Sequence, residues 1–185
     1  MARLPYVDPV TAPESIREVF DRLPVRLNIF KMMAHAQTNF RPWLMLGGSI
    51  LTEQKLDAKL RELAILRVAQ LTPARYEWVQ HVPIALAVGA TPAQVDALDR
   101  GDADADCFDA DERLVLRFTT EVLRDVRASD ATFAAMKARF SAQEIVELIL
   151  AIGFYMSVAR LMETTDLDLE PAAGTSVVDA IKTQR

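Results

Sequence analysis

Three side chains near the middle of the chain have the chemistry of an acid–base catalyst: Glu62, Glu77 and His81. They lie on two predicted helices that a short turn at Pro73 must bring together as an antiparallel hairpin. Glu62 lies 11 residues before Pro73 and His81 lies 8 after it. At about 1.5 Å rise per residue, the two side chains are within roughly one turn of the same level. Glu77 precedes His81 by one helical turn and lies on the same face.

Such a cluster can hold a proton near neutral pH. Burial disfavours the charged form of a carboxylate, whereas a neighbouring imidazolium favours it. The balance between these effects can place a proton where general acid–base catalysis is effective. In that interpretation Glu62 and His81 form the acid–base pair, and Glu77 either orients His81 or favours its protonated form. The alternative is structural, since a Glu–His pair 19 residues apart can simply join two helices.

The neighbours of this cluster are candidates for substrate binding. Tyr76 and Trp78 could line a pocket for a planar ring, although core packing is the simpler interpretation for Trp78. The hydroxyl of Tyr76 needs a hydrogen-bond partner if it is buried. Arg75 is the adjacent cation, and Arg67 falls off the face that carries Glu62. The pattern identifies no residue that would bind a substrate carboxylate.

Helix signals dominate the whole chain, so the predicted fold class is all-α, with the hairpin at its centre. Residues 1–170 form one domain, and residues 171–185 are a C-terminal tail that packs on a neighbour or frays. The glycines at 47 and 48 lie inside a helical pattern and indicate a close backbone approach or a bend. The predicted helices cover residues 14–21, 27–36, 38–53, 57–71, 75–88, a segment after Thr91, 109–127, 130–139 and 141–165. The predicted caps are Thr38 or Asn39, Asp57, Thr91, Asp109 and Ser141, with capping boxes at Thr91 and Ser141.

Composition limits the function classes. The chain has 185 residues, 51% hydrophobic and 25% charged, with a net charge of −5, which is ordinary for a soluble domain and gives no nucleic-acid footprint. The longest apolar run, residues 148–158, is shorter than the roughly 18 residues of a membrane span. The N-terminus has no signal-peptide pattern. We therefore expect a cytoplasmic protein that binds neither nucleic acid nor membrane.

Only one cysteine, Cys107, is present, in the acidic stretch GDADADCF. A lone cysteine excludes an internal disulfide and any C-x-x-C redox or zinc site. Its acidic neighbours disfavour the reactive thiolate. Neither a metal nor a cofactor is therefore expected.

The stretch ELAILRVAQLTPARYEWVQHVPIALAVG, residues 62–89, resembles the core motif of the carboxymuconolactone decarboxylase family, which includes alkylhydroperoxidase D-like proteins. The family motif places a glutamate, a C-x-x-C pair and a histidine at spacings that match Glu62 and His81. Its cysteines fall on Ala74 and Glu77. The resemblance implies a compact multi-helix domain of the alkylhydroperoxidase D-like type, and it extends more loosely over most of the chain.

The missing cysteines decide which branch of the family is implied. Peroxidase members use the dithiol, which Ala74 and Glu77 cannot replace. The decarboxylase branch removes CO₂ from a carboxylated lactone without a cofactor, so the resemblance implies a decarboxylase or related lyase. Its substrate would be a small organic acid or lactone, and Glu62 and His81 would move the proton. A non-catalytic ligand-binding or structural oligomer is the alternative, and a peroxidase-related antioxidant protein is a weaker one.

A homo-oligomer is expected for two reasons. The long apolar helix before residue 165 would expose more apolar surface than a small monomer can cover. The resemblance also implies symmetric assemblies, commonly trimers or hexamers. In such an assembly Tyr155 and Arg160 could reach the site from a neighbouring subunit.

Overall fold

Helices form all of the regular structure in residues 1–183, the part of the chain that the computed structural model describes. The all-α prediction is therefore confirmed over these residues. The helices are α1 (Glu14–Phe20), α2 (Asn28–Met33), α3 (Gln37–Glu53), α4 (Ala58–Leu71), α5 (Arg75–Ala87), α6 (Pro92–Asp99), α7 (Ala110–Asp125), α8 (Asp130–Arg139), α9 (Ala142–Thr165) and α10 (Ser176–Thr183).

The predicted caps set four of the helix starts, those of α4, α6, α7 and α9. Asp57 accepts hydrogen bonds from two amides of the first turn of α4. Complete capping boxes begin α6, α7 and α9. The predicted cap of α3 is wrong, because that helix begins at Gln37, behind Ala36, without a side-chain cap. Backbone hydrogen bonds start the helix instead, because the amides of residues 39 and 40 donate to the carbonyl of Ala36.

The central element is α4, which packs against α5, α6, α7 and α9. Residues 61–69 are all buried, including two arginines and a glutamate. A helix that is buried all round cannot keep its polar side chains in water, so each needs a partner inside the protein. This position makes α4 the support on which the acid–base residues are held.

The predicted hairpin of α4 and α5 is present and antiparallel. Its turn closes where the amide of Ala74 bonds the carbonyl of Ala69 at 2.9 Å. Further from this turn, His81 of α5 contacts Glu62 of α4. Gly89 follows α5 with φ +103°, a conformation that favours glycine and ends the helix.

The C-terminal segment crosses back over the hairpin. Residues 171–183 lie within the described part of the predicted tail, and α10 within it packs on α3 of its own chain, with Ile181 within 3.5 Å of the Cβ position of Gly48. The segment between α9 and α10, residues 166–175, is called the strap, and Gln80 of α5 holds it in place. The amide nitrogen of Gln80 donates to the carbonyl of Pro171, and its oxygen accepts from the amide of Ala173. Residues 184 and 185 of the predicted tail lie outside the described residues.

The longest helix, α9, is apolar enough, by length and composition alone, to cross a membrane. Half of its most apolar stretch is buried inside the domain. The helix packs on α3, α4, α7 and α8, as expected for the core helix of a globular protein.

Candidate active site

A mostly apolar cavity of about 180 Å³ lies between α3, α5, α9 and α10. Among the described residues that line it, Arg22 alone carries a positive charge. The polar side chains of α5 that reach it are Tyr76, Glu77, Gln80 and His81. Its apolar wall includes Leu27, Ile29, Phe30, Trp43, Leu44, Leu51, Ile84, Phe154, Val158, Met162, Val177 and Ile181.

The Glu62–His81 contact predicted from the hairpin is present behind this cavity. Oε2 of Glu62 lies 2.9 Å from Nδ1 of His81. Glu62 is fully buried and does not line the cavity, whereas His81 does. Because Nδ1 is engaged by the carboxylate, Nε2 is the ring nitrogen left for a ligand.

Two further groups hold this pair in place. Nε of Arg61 lies 3.4 Å from the other oxygen of Glu62, so the carboxylate has a partner on each side. The ring of Tyr155 packs edge-on against His81, with centroids 4.8 Å apart. Burial raises the pKa of Tyr155 well above its ordinary value, and the charges of Glu62 and Glu77 add to this. This side chain therefore stays a neutral phenol.

The expected route of Tyr155 into the site from a neighbouring subunit needs correction. Tyr155 reaches His81 from α9 of the same chain, because α9 packs directly on α4. Arg160 is exposed and donates to the carbonyl of Met156 one turn earlier in the same helix. Tyr155 therefore belongs to the site of its own subunit, and the approach of Arg160 to a neighbouring subunit stays a prediction.

Glu77 differs from the expectation that it orients His81. Both of its carboxyl oxygens are buried and have no hydrogen-bond partner. Its pKa is raised well above the ordinary value, first by burial and then by the charges of Glu62 and Glu163. These surroundings favour the carboxylic acid over the carboxylate, and Glu77 lines the cavity with His81.

The three predicted substrate-binding residues take different positions. Tyr76 lines the cavity, and its hydroxyl has the partner it requires: it donates to Glu170 and accepts from the amide of Ile29. Burial and Glu170 raise its pKa. Trp78 is buried in the core cluster. Trp78 and Arg75 are not among the described residues that line the cavity.

The positions that the resemblance assigns to a redox dithiol hold no thiol. Ala74 is fully buried at the start of α5, and Glu77 occupies the second position. Cys107 is exposed and lies near the carbonyl of Ala93 at the start of α6. Within residues 1–183 no group of three or more histidine, cysteine or carboxylate side chains has the arrangement of a metal site.

Several site residues were missed by the sequence interpretation. Arg61 is adjacent to Glu62 in the sequence, and an arginine in a helix buried all round is a signal that could have identified it. Gln80 precedes His81, but its contact with residues 171–173 depends on the path of the strap. The rings of Trp43 and Phe154 pack together in the cavity wall with their centroids 5.3 Å apart, a contact that no local pattern indicates.

The family comparison agrees with this geometry. Residues 38–121 match the carboxymuconolactone decarboxylase family (CMD), a segment that contains α4 and α5 with Glu62, Glu77 and His81. Together with the all-helical fold, this match makes the chain similar to the carboxymuconolactone decarboxylase family and to AhpD-like proteins. No functionally curated protein matches it significantly.

Solved structures share the fold at low sequence identity. A peroxidase-related protein with an alkylhydroperoxidase AhpD core from Ralstonia eutropha JMP134 has a TM-score of 0.78 and 20% identity, covering 91% of this chain and 92% of that one. A peroxidase-related protein from Silicibacter sp. TM1040 has a TM-score of 0.77 and 18% identity over 91% and 92%. A cysteine-to-alanine variant of the debrominase Bmp8, in complex with 2,3,4-tribromopyrrole, has a TM-score of 0.75 and 16% identity over 98% and 100%.

Proposed function

We propose that the protein is a cofactor-independent acid–base enzyme, a lyase or decarboxylase acting on a small organic acid or lactone. The observation that carries this proposal is the 2.9 Å contact between Glu62 and His81, with His81 facing the cavity. A carboxylate on Nδ1 fixes the tautomer and leaves Nε2 to take or give a proton.

The same geometry supplies a balanced proton-transfer step. Nε2 of His81 takes a proton from a carbon next to the substrate carbonyl, and the electrons of the C–H bond become an enolate. The enolate then expels a leaving group, as in a lyase. In a decarboxylation the electrons come instead from the C–CO₂ bond, and protonated His81 returns a proton to the carbon. The carboxyl group of Glu77, on the same helix face, can donate a hydrogen bond to the enolate oxygen.

The surroundings of His81 favour catalysis over a simple helix-joining role. Arg61 contacts the carboxylate of Glu62, and Tyr155, which also lines the cavity, packs edge-on against His81. A catalytic base must be held firmly and still contact a space that admits substrate. The debrominase neighbour holds a small ring compound within a similar fold, which supports a small organic ligand here.

Dithiol peroxidase chemistry is not proposed. The two peroxidase-related neighbours share the fold at 20% identity or less. In this chain the two matching positions are Ala74 and Glu77, and no cysteine is among the residues that line the cavity.

The test is turnover of a panel of lactones and keto acids by the purified protein. Glu62→Gln and His81→Gln should each lower kcat/KM by roughly 10²–10⁴, with the fold retained by circular dichroism. The matched control is His35→Gln, because His35 lies outside the cavity and contacts the carbonyl of Pro5. Full activity in the double variant of Glu62 and His81 would refute the proposal.

A ligand-binding protein without catalysis is the second candidate, and the largely apolar cavity wall favours it. This candidate predicts that a bound lactone or ketone is recovered unchanged. It also predicts that Glu62→Gln alters affinity without creating or removing a reaction product. Mass spectrometry of the incubated ligand separates the two candidates.

We also propose that the chain assembles as a homo-oligomer, a trimer or hexamer, through the outer face of α9. Val146, Ile149 and Leu150 are exposed there, and Met45 of the adjacent α3 is exposed as well. Light scattering after gel filtration should give a multiple of 20.6 kDa. Leu150→Glu should reduce that mass, and a wild-type chain that elutes as a monomer at all concentrations would contradict the proposal.

A further inference from the structure

The most unusual group in the cavity is the carboxyl of Glu77. It is 2% exposed, and neither of its oxygens has a partner in the described structure. A buried polar group without a partner costs free energy, so its retention in a cavity wall needs an explanation. A ligand that supplies the missing hydrogen bond is the simplest one.

The protonation state of Glu77 determines what such a ligand must offer. Burial and the neighbouring charges of Glu62 and Glu163 raise the pKa of this side chain and favour its protonated form. A protonated carboxyl group donates one hydrogen bond through its O–H. It can therefore donate to a neutral carbonyl oxygen, whereas an anion would add a further negative charge beside Glu62.

Two of the four polar side chains that α5 brings to the cavity are already engaged. The hydroxyl of Tyr76 is held by Glu170, and both ends of the Gln80 amide are used on residues 171 and 173. Of the α5 side chains, this leaves the acid of Glu77 and Nε2 of His81 at a cavity whose walls are mostly apolar. The arrangement matches a molecule with an apolar body and one polar end.

We propose that the cavity binds an uncharged, largely apolar carbonyl compound, a ketone or lactone, and that Glu77 donates a hydrogen bond to its carbonyl oxygen. This inference rests on the proposed function and names the ligand class of the same site. It selects the lactone over the organic acid. It also selects proton abstraction from a neutral substrate over loss of CO₂ from a carboxylate.

The strap and α10 enclose this ligand. Residues 173, 174, 177, 180 and 181 form one wall of the cavity, and Gln80 connects α5 to the strap at 3.2 and 3.0 Å. A ligand in contact with this wall stabilises its docked position by mass action. Hydrogen exchange in residues 173–183 therefore reports binding without depending on turnover.

The experiment compares three probes of similar size: acetophenone, which is neutral with a carbonyl; benzoate, which is anionic; and ethylbenzene, which has no acceptor. Affinities are measured at pH 7 by NMR line broadening and by hydrogen exchange of residues 173–183. Acetophenone should bind about tenfold more tightly than ethylbenzene, the factor expected for one hydrogen bond. Benzoate should bind more weakly than either.

Two substitutions at Glu77 separate its chemistry from its volume. Glu77→Gln keeps a donor and should keep the preference for acetophenone over ethylbenzene. Glu77→Leu removes the donor and should abolish that preference while retaining ethylbenzene. Tighter binding of benzoate than of acetophenone, a preference that survives Glu77→Leu, or binding of none of the three probes at millimolar concentration would overturn the inference.

These results are distinct from a failure of the proposed function. If acetophenone is preferred but no neutral carbonyl compound is turned over, the ligand class stands and catalysis fails. If a carboxylate substrate is turned over and requires His81, catalysis stands and the ligand class is wrong.

Discussion

Two buried carboxylates of this molecule, Glu112 and Glu77, have opposite surroundings. Glu112 is 3% exposed and Glu77 is 2% exposed. Around Glu112, Nζ of Lys59 lies at 2.5 Å, Nε2 of Gln94 at 2.8 Å and the amide of Asp109 at 2.8 Å. Glu77 has none of these partners. Equal burial therefore has two meanings: Glu112 joins helices, whereas Glu77 is left available to something outside the chain.

Glu62 is intermediate between the two. It is fully buried, with Arg61 on one oxygen and His81 on the other. Its partners satisfy it as those of Glu112 do, but one of them faces the cavity. The comparison thus separates a structural carboxylate, a carboxylate that holds a base, and an acid with a free donor.

The largest effect on stability is expected at the fully satisfied carboxylate. Glu112→Gln removes the charge that pairs with Lys59. The glutamine oxygen can still accept from Gln94 and Asp109, which both donate to Oε2, but its amide NH₂ then faces Nζ of Lys59, donor against donor. The loss should lower the free energy of unfolding by about 3 kcal/mol at pH 7. Urea denaturation followed by circular dichroism measures it, and a loss below about 1 kcal/mol would remove the contrast with Glu77.

The same substitution at Glu77 should have the opposite sign. Because its pKa is higher in the folded than in the unfolded chain, the unfolded chain loses this proton first as pH rises. The wild-type stability therefore falls with rising pH above about 4.3, the ordinary value for glutamate, by up to about 1.4 kcal/mol per unit until the folded pKa is reached.

Glu77→Gln removes that pH-dependent loss. The variant should be more stable than the wild type by about 1–3 kcal/mol at pH 7 and nearly equal to it at pH 4. Denaturation series at pH 4, 5.5 and 7 give the difference. A difference that is constant with pH would mean that Glu77 is ionised in the folded protein, contrary to its surroundings.

A smaller effect is expected from the cation beside Glu112. Lys59→Met removes one of three partners, and the lysine side chain is 28% exposed. Gln94 and Asp109 remain, so the cost should be about 1 kcal/mol. In combination with Glu112→Gln the two losses should be less than additive, because each removes the same ion pair. Additive losses would show that the pair contributes little.

The contact between Glu62 and His81 was predictable from the sequence, because the turn at Pro73 is short and helix rise is constant. The caps at Asp57, Thr91, Asp109 and Ser141 were equally readable, since a capping box is a local interaction. In contrast, α10 has only eight residues and such a helix is marginal alone. Its docking on α3 is a tertiary effect, and so is the arrival of Tyr155 beside His81 from its own chain. The unsatisfied state of Glu77 has no local signal, because it depends on the absence of partners from four helices.

The smallest effects come from two helical glycines, one on each side of this core. A Cβ at Gly47 would lie 2.9 Å from Cζ of Phe154, on the cavity wall. The ring of Phe154 is held between Trp43 and Tyr155, each at a centroid distance of 5.3 Å, so it cannot move freely. Overpacking should outweigh the helix-propensity gain, and Gly47→Ala should destabilise by roughly 0.5–1 kcal/mol.

Gly153, on the outer face of α9, has nothing within 4 Å of its Cβ position. Gly153→Ala should therefore stabilise the isolated subunit by up to about 1 kcal/mol, the helix propensity of alanine over glycine. Thermal denaturation of both glycine variants gives the two signs. If Gly153→Ala instead destabilises the protein or lowers its mass in solution, a second copy covers this face of α9. Gly47 would then line a cavity that binds a ligand, and Gly153 would lie on a surface that binds another subunit.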